Sequence, residues 1–163
     1  MQEELDSIEG PEQSEDAATC FPRTEKGVPF CWDYQIKGFF KDACSSLRRV
    51  PGTRSSKKTA FKKVIDGTMF VGPRVIPFQL PEGAKLGRCE RPLRASGPSG
   101  ERVALAASET VPVGTTLDFD VLVMNPKDTE TVREWLDYGR LRGLFQWRNS
   151  GKGRFEWEEV GEE

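Results

Sequence analysis

The chain has 163 residues, 36% of them hydrophobic, with 24 basic and 26 acidic side chains and a formal net charge of -2. That is enough chain for one domain with polar ends, and no run approaches the roughly 18 apolar residues of a membrane-spanning helix, so no membrane partner is expected. It contains no histidine, which excludes a Ser-His-Asp triad, a Cys-His pair and a histidine general base. Any catalysis falls to carboxylates, Lys, Tyr or an oxygen-ligated metal, and the balance leans away from an enzyme. The four cysteines, Cys20, Cys31, Cys44 and Cys89, form no Cys-x-x-Cys pair. They read as reduced thiols rather than a zinc site or a disulfide framework. No basic-then-apolar leader pattern opens the sequence, and the expected location is cytoplasmic. No cofactor is implied.

The net charge conceals a strong asymmetry. Residues 1–16 carry seven acids and no base, and residues 156–163 carry five acids and no base. The body between them therefore holds 24 bases against the remaining 14 acids, a net of +10. A body this basic favours a polyanionic partner, because Lys and Arg displace counterions condensed on phosphates.

Residues 1–19 are acidic without apolar periodicity and are expected to be disordered. "FPRTEKGVP" is punctuated by Pro22, Gly27 and Pro29 as a loop. Ile36, Phe39, Phe40, Ala43, Cys44 and Leu47 then fall at helical spacing, which predicts an amphipathic helix over 35–49, ended by Pro51-Gly52. "GTRSSKKTA" reads as a flexible basic stretch, with Lys57, Lys58, Lys62 and Lys63 as an arm able to grip phosphates. "FKKVIDGTMFVGPRVIPFQL" reads as two extended segments around Gly67. "PEGAKLGRCERPLRASGPSGE" is loop-like, with Arg88, Arg91 and Arg94 every third residue. Residues 52–100 together read as a basic insertion containing a hairpin.

"RVALAASETV" and "TTLDFDVLVMN" carry the clearest strand alternation. "DTETVREWLDYGRL" predicts a second helix, capped by Asp128 or Thr129 and burying Val132, Trp135 and Leu136. A glycine-rich loop leads into a last strand, 154–160. The expected fold class is α+β: an antiparallel ferredoxin-like (RRM-like) sheet with two helices and the basic hairpin insertion, its first strand not evident. The expected domains are 1–19 acidic, 20–160 a single folded domain, and 161–163 an acidic tail.

Two motifs stand out. "GVPFCWDYQIKGFFKDA" places Gly27, Pro29 and Phe30 ahead of Ile36, Lys37 and Gly38 at a helix start. "WRNSGKGRFEW" places Arg148, Gly151, Gly153 and Arg154 in a glycine-rich loop. These, with "ETVPVGTTLDFDVLV" as a central strand pair, resemble the RAMP superfamily, the repeat-associated proteins that form the backbone of CRISPR effector complexes. The resemblance covers roughly 27–160. It departs from the family where Tyr34-Gln35 stands in place of a Ser-Ser pair and Trp32 in place of proline. It implies a non-catalytic protein that binds single-stranded RNA through its backbone, works in a homo-oligomer or a CRISPR-type complex, and looks like a solitary phage or mobile-element relative.

The phosphate surface it implies comprises Lys37, Gly38, Lys41, Arg148, Gly151, Lys152, Gly153 and Arg154, extended by Arg88, Arg91 and Arg94. A helix start and a glycine nest both offer free amides to phosphate. Trp32, Tyr34 and Trp147 are candidates to stack on unpaired bases. One alternative is an interaction protein that mimics a CRISPR subunit and inhibits a defence complex, its acidic ends meeting a basic partner. Another is a metal-dependent ribonuclease centred on Asp33, the weak catalytic candidate. Asp118 and Asp120, two apart on a strand, are a further place where Mg²⁺ is conceivable.

Overall fold

The computed structural model describes residues 18–161. The acidic stretch at 1–17 and the tail residues Glu162 and Glu163 lie outside them. Among the described residues the fold is α+β, with three α-helices and three small sheets. It divides into two compact units: residues 18–23 with 79–116, and residues 24–78 with 117–161. The boundary therefore falls at 79 rather than near 52, because the segment expected to open an insertion contributes core side chains to the helical unit.

Strand β1 (Ala18–Thr19) belongs to the other unit, and the helical unit opens with β2 (Phe30–Trp32), which pairs antiparallel with β4 (Val75–Pro77). Helix α1 (Asp33–Leu47) follows β2 directly. It starts two residues earlier than periodicity indicates, because Gln35 Oε1 accepts the Trp32 N–H (2.8 Å) and closes the first turn. Its stripe of Ile36, Phe39, Phe40, Ala43 and Cys44 is fully buried, as the spacing predicts.

The stretch after α1 is not a flexible arm. Ser55 opens a short 3-10 turn (Ser55–Lys57) and is completely buried. Glu134 accepts hydrogen bonds from the Arg54 N–H (2.7 Å), the Ser55 N–H (3.1 Å) and the Ser55 hydroxyl (2.7 Å). The Ser55 hydroxyl in turn accepts from the Trp135 indole N–H (2.9 Å). Lys58 pairs with the buried carboxylate of Asp128.

Residues 61–68, expected to be extended, form helix α2 (Phe61–Thr68). Phe61 and Ile65, four apart, are its buried residues, and that spacing outweighs the local β-branched composition. The extended chain begins only at β3 (Met69–Gly72), which pairs antiparallel with β7 (Asp120–Val123). Strand β7 is thus the C-terminal part of the expected strand, and Asp118 precedes it. Helix α3 (Thr129–Tyr138) buries Val132, Trp135 and Leu136 as predicted. Its cap differs, since Asp128 makes no capping bond and serves Lys58 instead.

Residues 154–160 run without ladder pairing. Their alternation is real, but it reports side chains laid on α3 and α1 rather than a strand. The Phe155 N–H donates to Gly139 O (3.0 Å), the Trp157 indole donates to Asp137 (2.9 Å), and the Phe155 ring meets Phe39 edge-on at 5.1 Å.

The other unit is a long hairpin, β5 (Gly87–Gly97) with β6 (Gly100–Thr110), eleven residues in each strand. Strand β1 (Ala18–Thr19) pairs parallel to β6 at Ala107 and Ser108, so 18–19 belong to the fold rather than to the acidic segment. Glu109 fixes the chain after β1 by accepting the Phe21 N–H (2.9 Å) and pairing with Arg23, which holds its carboxyl below the usual range. The predicted loop at 81–100 is therefore largely strand. Its Arg, Gly and Pro content suits an edge strand exposed on both faces, and its partner β6 supplies what local composition lacks.

All four cysteines are unpaired, with Cys31 and Cys44 buried. Burial pushes the Cys31 thiol from its ordinary value of 9.0 up to about 12 and raises Cys44 as well. The unfolded chain gives up the Cys31 proton first, so this contribution to stability is complete below about pH 9 and is lost as pH rises toward 12. Denaturant unfolding between pH 8 and 10.5 should show stability falling with pH, with a shallower fall in Cys31→Ala. Separately, Glu134→Ala should destabilise the protein by about 1–3 kcal/mol, since it leaves buried donors at Ser55 without their acceptor.

Candidate nucleic-acid interface

Helix α1 begins in a cluster of rings and charges. Trp32 stands at the N-cap and is followed by Asp33 and Tyr34. The two rings are stacked, centroids 6.2 Å apart with planes 12° from parallel, and Phe30 meets Trp32 edge-on at 4.8 Å. Arg74 lies over both rings, 5.2 Å from the Trp32 centroid and 5.4 Å from that of Tyr34. Its Nη1 pairs with Asp33 at 2.8 Å. Asp33 Oδ1 also accepts the Tyr34 N–H (2.7 Å), and the Asp33 N–H donates to Arg74 O (3.1 Å). The first amides and the first acid of α1 are thus engaged within the protein. Among the described residues, no group of three or more metal-capable side chains gathers at Asp33, at Asp118 and Asp120, or elsewhere.

Because the helix starts at Asp33, Lys37 and Gly38 occupy its second turn, where the amides are spent on the helical ladder. The two residues also serve different neighbours. Lys37 Nζ donates to Asp66 O at 3.3 Å and sits over the Phe70 ring at 5.2 Å. Lys41 pairs with the Asp66 carboxylate at 2.6 Å, which holds that carboxyl below its usual range. Both lysines therefore meet the C-terminal end of α2, where cations are favoured.

Gly38 lies on another side of α1, in an open groove of about 260 Å³ lined with Gln35, Phe39, Asp42, Phe145 and Arg148. A Cβ built on Gly38 meets nothing within 4 Å. The structure thus brings Gly38 and Arg148 to one groove and gives Lys37 other neighbours.

Arg148 approaches Asp42 at 3.3 Å, while Arg142 holds the same carboxylate through two bonds of 2.7 and 3.2 Å. The loop carrying Arg148 is bent at Phe145 (φ 66°) and Trp147 (φ 63°), both in the left-handed region that large side chains avoid. Lys152 and Arg154 are exposed on this loop, with the Arg154 guanidinium beside Gly151. Trp147 is half-buried.

Gly153 has a reason internal to the fold. At φ 76°, its Cβ would stand 2.1 Å from Leu144 O. Glycine there allows two stretches of backbone to cross, joined by the Leu144 N–H to Gly153 O bond of 2.9 Å.

Arg88, Arg91 and Arg94 belong to the hairpin unit. On a strand, residues an odd number apart face opposite sides, so Arg91 points away from the face shared by Arg88 and Arg94. Arg88 pairs with Glu90 at 2.6 Å, and Arg94 approaches Glu101 at 3.9 Å. Sequence reasoning missed Arg74, Asp42, Arg142 and Phe145. Asp42 and Arg142 lie 100 positions apart, with no local signal to join them. Arg74 follows a Gly-Pro turn that marks only a reversal. No protein-family model matches the chain, and no curated protein matches it.

The two glycines yield opposite expectations. Gly38→Ala should raise stability by up to about 1 kcal/mol, because an open mid-helix glycine costs that much relative to alanine. Gly153→Ala should lower it by about 1–3 kcal/mol or more, from backbone strain and the clash with Leu144. Thermal melts of the two variants check both signs.

Proposed function

We propose that this chain is a non-catalytic, single-stranded-RNA-binding protein of RAMP-like, ferredoxin-type descent. In this proposal it grips the phosphate backbone along the groove between α1 and the loop at 145–154. The observation that carries the proposal is Gly38. The fold has no steric use for a glycine there and would be more stable with alanine. Bare backbone in a groove beside an arginine suits the close approach of another molecule's backbone. Arg148 is the cation within reach. Its contact with Asp42 is longer than the two made by Arg142, so a phosphate can take Arg148 while Asp42 stays neutralised. Lys152 and Arg154 extend the positive edge along the same loop, and strain at Phe145 and Trp147 fits a loop shaped for a ligand.

The element order also supports this reading. Strand β2, helix α1, the antiparallel pair β3 and β7 and helix α3 follow part of the order of a split βαβ unit, with α2 and β4 intervening and the unpaired 154–160 segment in the place of a last strand. The hairpin unit enters between β3 and β7. Lys37 and Lys41 act in this proposal by tying α1 to α2, and Trp32 and Tyr34 supply a surface for unpaired bases. Asp33, held by Arg74, serves as a structural anion. The family resemblance adds assembly on RNA, in an oligomer or a CRISPR-type complex, as part of the proposal.

Fluorescence anisotropy with labelled single-stranded RNA, single-stranded DNA and duplex over a salt series tests this. The wild type should prefer single-stranded RNA, with affinity falling steeply as salt rises. Gly38→Ala should weaken binding several-fold while melting at the same or a higher temperature, a combination that mere structural damage does not produce. Lys152→Glu/Arg154→Glu should weaken binding at least about tenfold and flatten the salt slope by one to two phosphate contacts. Absence of RNA binding, or full affinity in Gly38→Ala, overturns the reading.

A further inference from the structure

We infer that Arg74 reads guanine in the RNA strand; this rests on the RNA-binding reading above and goes beyond it by naming the base. The register of β2 with β4, which sets Trp32 opposite Val75, brings Arg74 beside Asp33. The arginine is then held at both ends. Its carbonyl accepts the Asp33 N–H, and its Nη1 donates to the Asp33 carboxylate. Such a side chain has already lost most of its conformational freedom before any ligand arrives. Yet it remains open, with 66% of its side chain exposed.

Asp33 uses one nitrogen. Among the described residues, Nε and Nη2 have no hydrogen-bond acceptor. They form a fork of two parallel donors, which fits two adjacent acceptors. Guanine presents such a pair in O6 and N7, whereas adenine sets a donor beside its N7 and uracil offers a single carbonyl on that edge. A phosphate also offers two oxygens, but the stacked rings decide between the two. The guanidinium carbon lies over Trp32 and Tyr34, so a flat base bound by Arg74 comes within reach of the same pair of rings, where Tyr34 is 53% exposed. A tetrahedral phosphate gains nothing from those rings. Asp33 is on this account a positioning residue, and Arg74 the one that touches the base.

The experiment compares labelled single-stranded RNAs of one length carrying guanine, adenine or 7-deazaguanine at the same places in a uridine background. They are titrated into the full chain and into Arg74→Lys and Asp33→Asn. The wild type should bind the guanine strand at least about tenfold more tightly than the adenine strand. Loss of N7 in 7-deazaguanine should bring affinity close to the adenine level. Arg74→Lys keeps the charge and loses the fork, so it should bind all three strands alike, without the guanine preference. Asp33→Asn should shrink the preference without abolishing binding. Equal affinities in the wild type, or a guanine preference that survives Arg74→Lys, overturns the inference while leaving RNA binding intact. Failure of every strand to bind overturns both.

Discussion

A buried indole must find an acceptor for its N–H, and in this protein that requirement organises the helical unit. Trp135 is 1% exposed and packs on Phe40 of α1 at 5.6 Å. Its N–H is met by the Ser55 hydroxyl, Ser55 is met by Glu134, and Glu134 also takes two backbone N–H groups of the 54–55 turn. A buried donor left alone costs about 1–3 kcal/mol. Ordering a polar, basic stretch by bonding it to α3 is therefore favourable despite the entropy lost. This node ties the turn that follows α1 to α3.

Helix α1 divides its work by direction. Successive residues advance about 100° around a helix, so neighbours in sequence answer to different neighbours in space. Phe39 and Phe40 enter the core, Lys37 and Lys41 reach the end of α2, and Gly38 with Gln35 and Asp42 faces the groove. The Lys-Gly pair that looks like one motif in sequence is two devices in the fold. One is a tie between helices and the other a gap in the side-chain cover.

Much of this was legible in the sequence wherever one face alone decides the structure. The buried stripes of α1 and α3 were visible from spacing, as was β6. What failed did so for identifiable reasons. Helix α2 is only eight residues long, and its Phe, Val and Ile favour strands until their four-residue separation is counted. Strand β5 is exposed on both faces, so it carries no hydrophobic alternation and is defined by its ladder to β6 alone. The 154–160 segment has alternation without a ladder, because a period of two reports which side chains are covered and not where the N–H groups go. At the candidate site, the glycine-rich loop was visible and the acids facing it were not. Asp42 and Arg142 meet through tertiary packing, and Arg74 reaches Asp33 through the β2–β4 register.

Those acids change the meaning of the basic body. The surplus of ten positive charges is counted after the body's acids are subtracted, but it does not say which cations are open, and several of those expected on a phosphate surface have acidic partners. Arg74 has Asp33, Arg148 has Asp42, Lys41 has Asp66, Arg88 has Glu90 and Arg94 has Glu101. A phosphate must displace or share these carboxylates, and salt weakens the internal pairs along with the external ones. Net charge therefore does not identify the cations that a phosphate can reach. What distinguishes the groove is geometry: a shared carboxylate whose weaker partner is Arg148, a loop bent through two left-handed aromatic residues, and a helix that leaves its backbone bare at Gly38. In the RNA-binding proposal, recognition depends on which cations can be released from their acids, and at Asp42 Arg142 makes two bonds where Arg148 makes a single contact.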